Sequence, residues 1–119
     1  MGATPDDQEQ QFFAMMEKES ANLRKAAKEA CTLLGGISRP VPEISNLIQA
    51  LKLMEMVKIE MLEEAIANVE TIYQAFIQRA EADQNIIEAN DYVLIIKGMT
   101  AVGQEIINLS IKADEISGG

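Results

Sequence analysis

The chain has 119 residues, 48% of them apolar and 24% charged, which is globular usage and enough for one domain with a modest core. Its formal net charge is −9 and its ten cationic side chains are scattered, which argues against a phosphate-binding patch and against direct contact with nucleic acid. There is no His and a single Cys, so the usual catalytic triads, zinc sites and intrachain disulfides are excluded.

Aromatic residues make up only 4%, while Ile, Leu, Met and Ala are plentiful, a balance that favours helices over sheets. The first helix is predicted over 5–34. Thr4 is suited to cap it, Pro5 fits its first turn, and Asp6 and Asp7 sit where the positive helix end favours anions. Phe13, Met16, Ser20, Leu23, Ala27, Ala30 and Leu34 form a ladder spaced three and four apart, and Gly35-Gly36 stop the helix. Cys31, late in this helix among alanines, reads as a small buried hydrophobe rather than a nucleophile.

Residues 35–43 form the linker, where Pro40 and Pro42 preclude a continuous helix. A second helix is predicted over 44–82. Its broad apolar face is Ile44, Leu47, Ile48, Leu51, Met54, Ile59, Met61, Leu62, Ala65, Ile66, Val69, Ile72, Tyr73, Phe76, Ile77 and Ala80, with Glu60, Glu63, Glu64 and Gln74 opposite. Glu60, Glu63 and Glu64 read as a solvated face, and a hard-metal site there is the improbable alternative. Residues 52–58 break the pattern: Glu55 and Lys58 fall on the apolar face, three apart and able to pair, while Leu53, Met56 and Val57 point away. This stretch reads equally well as a solvated bundle end or as an apolar patch that meets another chain.

The turn before the last helix falls at Asp83-Gln84-Asn85 or at Asn90-Asp91, with Asp91 suited to cap a helix from Tyr92. Asp83-Gln84-Asn85 opens like a calcium loop, but residue 88 is Glu where that loop needs Gly. The third helix is predicted over 91–117. Tyr92, Ile95, Met99, Val102, Ile106, Leu109, Ala113 and Ile116 form an unbroken 3-4 ladder, the seam of a helical bundle or coiled coil. Gly98 and Gly103 inside it point to close helix contact, with a hinge as the alternative. A second apolar strip, Val93, Ile96, Ile107 and Ile111, lies beside the ladder and needs cover of its own. Apolar runs reach only five residues, as at Tyr92–Ile96, far short of the ~20 that a membrane helix needs.

The expected fold is all-α: three long helices in an antiparallel up-down-up bundle, completed by self-association, with a two-fold dimer favoured. The expected function is a non-enzymatic helical assembly or adaptor protein of the cytoplasm that needs no cofactor or metal and acts on another protein. Its interface candidates are Val93, Ile96, Ile107, Ile111, Leu53, Met56, Val57 and Phe12. The alternative, from the acidic balance, is an inhibitor that mimics nucleic acid and blocks a basic surface. A metal-assisted hydrolase using Glu60, Glu63 and Glu64 is a remote third.

Overall fold

A computed structural model describes residues 5–37 and 41–118, with side chains described for 7–37 and 41–116. The Thr4 cap and residues 38–40 of the linker lie outside the described residues. Described elements are helical throughout: α1 (Pro5–Glu19), α2 (Ala21–Gly35), α3 (Pro42–Met56), a one-turn 3₁₀ helix (Ile59–Met61), α4 (Leu62–Ala82) and α5 (Ala89–Gly118).

The predicted first helix is nearly continuous but bends at Ser20. The Ser20 hydroxyl donates to the Glu17 carbonyl at 2.7 Å, a back-bond of the kind that bends helices. Hydrogen bonds from Ser20 N to Met16 O and from Arg24 N to Ser20 O carry the ladder through the bend. The helix ends at the Gly pair as expected, although Gly36 stays right-handed at φ −84°. No left-handed cap is used there. Pro42 opens α3 two residues earlier than expected, because its fixed φ and missing N–H suit the first turn.

The largest departure from expectation is in the predicted 44–82 helix. It is two helices, and the three-helix, up-down-up order therefore does not describe this chain. Val57 and Lys58 turn extended (ψ 157° and 151°), a single 3₁₀ turn follows, and α4 folds back along α3. Arg79 near the C-terminal end of α4 grips Glu43 near the N-terminal end of α3 at 2.7 and 2.9 Å, so the two run antiparallel. That contact, chiefly the hydrogen bond from Arg79, holds the Glu43 carboxyl below its ordinary pKa. The Cys31 thiol in α2 lies 3.6 Å from the Ile48 carbonyl, and Gly98 in α5 lies against Ala30, which place α3 and α5 on either side of α2. The chain therefore makes four passes, up, down, up and down, with α1 and α2 together forming the first.

The molecule is a rod of 64 × 21 × 20 Å. Its core draws Leu23, Ala27 and Ala30 from α2, Leu47, Leu51 and Met54 from α3, Val69 and Phe76 from α4, and Ile95 and Val102 from α5. Every member of the expected C-terminal ladder is buried or packs against that core. Backbones are in close contact between α2 and α5, α2 and α3, and α3 and α4, whereas those of α4 and α5 stay further apart. The last turn is at 83–88, where Asp83 Oδ1 accepts the Asn85 N–H at 3.0 Å. α5 begins at Ala89, with Tyr92 N bonded to Glu88 O, so Asp91 sits in the first helical turn rather than at its cap.

Candidate interaction surfaces

Helix α5 carries two apolar faces because its sequence repeats apolar residues on two strips. The ladder faces inward. On the other strip Val93 (63% exposed), Ile107 (56%) and Ile111 (51%) stand out of the protomer, while Ile96 is half-buried. Thr100 and Gly103 lie between them at helical spacing. A methyl group built on Gly98 would meet Ala30 Cα and Cβ at 3.3 Å, so this glycine permits the close approach of α5 to α2. The same methyl on Gly103 would meet nothing within 4 Å. Gly98 thus fulfils the contact expectation; Gly103 has no counterpart for it among the described residues of the protomer.

The break after Met56 redistributes the 52–58 patch. Leu53 (56%) and Met56 (80%) are exposed, and so is Met61. Val57 instead packs against the core, because the extended backbone after α3 takes it off the helical spiral. Leu53, Val57, Met61 and Ala65 line one shallow depression, with Glu64 at its edge. The helical spacing that would set Glu55 against Lys58 ends at Met56.

What holds this break is Arg24, a residue with no assigned role in the sequence. Its Nη1 donates to the Glu55 and Val57 carbonyls at 2.9 and 2.8 Å, and its Nη2 to Glu17 Oε2 at 2.9 Å. Its Nε donates to the Ser20 hydroxyl at 3.1 Å. A guanidinium therefore satisfies the final carbonyls of α3, where the helix dipole also favours a cation. The one trace in the sequence was Ser20, a polar member of an apolar ladder with Arg24 one turn on.

At the α1 end of the rod, α1, the 3₁₀ turn, α4 and α5 enclose an open groove of about 460 Å³. Phe12 and Phe13, stacked edge to face at 5.7 Å, stand on one side. Leu62, Ile66, Ile106, Leu109 and Ala113 are among the apolar residues of its floor. Phe12 is thus a half-buried groove residue and not a free anchor. Glu60, Glu63, Glu70 and Asp114 line the same groove, and among the described residues no Lys or Arg does.

Glu60 and Glu63 face this groove while Glu64 faces the α3–α4 depression, so the three do not converge. Among the described residues no three His, Cys, Asp or Glu side chains gather as metal ligands would. The Cys31 thiol is pushed above its ordinary pKa, first by burial and then by Glu55, with Lys52 opposing. A thiol kept protonated is a poor nucleophile. No helix among the described residues is long and apolar enough to cross a membrane. Comparison of the chain with known protein families, curated proteins and solved structures returns no match.

Proposed function

We propose that this is a non-enzymatic assembly or adaptor protein that works through apolar helical surfaces, as a two-fold dimer paired along α5. The observation that carries the reading is the exposed strip on α5. Counted outward from a midpoint near residue 102, Val93 matches Ile111, Ile96 matches Ile107, and Thr100 matches Gly103. An antiparallel second copy therefore lays apolar on apolar and small on small, as a self-complementary interface requires. Close contact at Gly103 would offset the ~1 kcal/mol that a glycine costs inside a helix, which nothing within the protomer offsets. Between Val93 and Ile111 the charged residues are Lys97, exposed one turn after Val93 at the edge of the strip, and Glu105, which lies beside α2, so few charges need be stripped of water.

Light scattering at tens of micromolar, on the order of the affinity of modest interfaces, tests the pairing. The native chain is expected to be a dimer, and Ile107→Asp a folded monomer, since Ile107 is exposed in the protomer. A native monomer, or an undiminished dimer in the variant, would remove the reading.

A further inference from the structure

We propose that the groove between α1, α4 and α5 docks a cationic amphipathic helix from another protein. It extends the adaptor reading by naming a partner class, and it does not depend on pairing through α5. The groove joins two chemistries in one place. Its floor is apolar, and its edges hold Glu60, Glu63, Glu70 and Asp114 with no cation among the described residues that line it.

Spacing favours a helix as the guest. On the α5 wall Ile106, Leu109 and Ala113 step three and four residues along two turns, about 10 Å. That is the interval between the anchors at i, i+3 or i+4, and i+7 of a helix lying in a groove. Glu63 and Glu70, seven residues apart on α4, stand two turns apart and would face cations at the same interval on the guest. Asp114 comes from α5, the opposite wall.

Charge selects among guests. An uncharged apolar helix would cover four carboxylates and pair none of them, at a desolvation cost that Lys or Arg side chains remove. An anionic membrane surface is repelled by the same acids. A second copy of this chain would bring few cations to the groove, since its ten Lys and Arg side chains are scattered. The acids also steer a cationic partner from a distance, at a rate that falls with salt.

The probe is a fluorescein-labelled peptide of about 14 residues, four turns, with Leu at the anchor positions and Lys elsewhere. Anisotropy should show micromolar binding to the full chain. Glu63→Lys combined with Glu70→Lys should weaken it about tenfold or more, the scale of losing close charge pairs. The same change in net charge placed away from the groove, Glu29→Lys with Glu81→Lys, should weaken it less than about threefold. Equal losses in the two double variants would show binding to overall charge and overturn the proposal. So would absence of binding, or equal binding of a peptide of the same composition with its Leu spacing scrambled. The Ile107→Asp chain should bind the peptide as the native chain does, and its failure to do so would also count against the groove. Dimerisation can thus fail while docking stands, and the reverse.

Discussion

Gly98 and Gly103 are the same residue in the same helix, yet replacing each with Ala should move stability in opposite directions. At Gly98 the added methyl would press at 3.3 Å on the backbone and Cβ of Ala30, which cannot swing aside as a long side chain would. Separating α2 from α5 by a few tenths of an ångström would loosen the contact between them. We expect a net loss of about 1–2 kcal/mol despite the better helix propensity of Ala. At Gly103 the methyl meets open space, and the protomer should gain up to about 1 kcal/mol. Urea unfolding of both variants, at concentrations dilute enough to keep the chain monomeric, reads the two signs. A gain for Gly98→Ala would mean that α2 and α5 are not in intimate contact there. Sequence spacing identified both glycines as contact residues but could not say which helix lay opposite, because that depends on how the chain folds back.

The elements most dependent on a single side chain are α3 and α4. Their junction has no Gly or Pro, and from Met54 to Leu62 the apolar phase drifts by only about 80°, so a helical periodicity runs on across a real break. The clue was a local defect, Glu55 and Lys58 on the apolar face. What turns the defect into a corner is Arg24, four-fifths buried and bonded to two terminal carbonyls of the α3 end, to Ser20 and to Glu17. Arg24→Ala would leave those carbonyls without partners and is expected to cost about 1.5–3 kcal/mol, the range for hydrogen bonds to a charged group. Arg24→Lys should restore only part of it, because one ammonium cannot serve four acceptors as the guanidinium fork does. Thermal unfolding of the two variants checks both magnitude and order. Equal stability of Arg24→Lys and the native chain would reduce Arg24 to a mere charge at a helix end. No residue pattern announces such a contact, since it joins positions 31 and 33 apart in the chain.

For the whole molecule, the inward ladders of α2 and α5 were legible because periodicity records which side of a helix is dry. Met61, read as facing the core, is by contrast exposed, and Val57, read as facing away, packs against it. The order of the passes was not legible, because periodicity is silent about where a helix ends without Gly or Pro. The same limit applies to the α5 strip: if it is the proposed dimer face, the near-symmetry of its pattern about residue 102 calls for an antiparallel partner. Direction can be measured by cross-linking. In a Cys31→Ala background, which leaves no native thiol, the double variant Val93→Cys with Ile111→Cys should form an intermolecular disulfide under mild oxidation. In an antiparallel pair, residue 93 of one copy lies beside residue 111 of the other, within reach of the ~4 Å Cβ separation that a disulfide demands. Each single variant should stay uncross-linked, since in that geometry two copies of residue 93 lie about 27 Å apart along the helix axis. A parallel pair reverses the outcome: the single variants cross-link, because every residue then faces its own copy. Non-reducing electrophoresis separates the cases, and cross-linking by the single variants would refute the antiparallel arrangement while leaving a dimer in place.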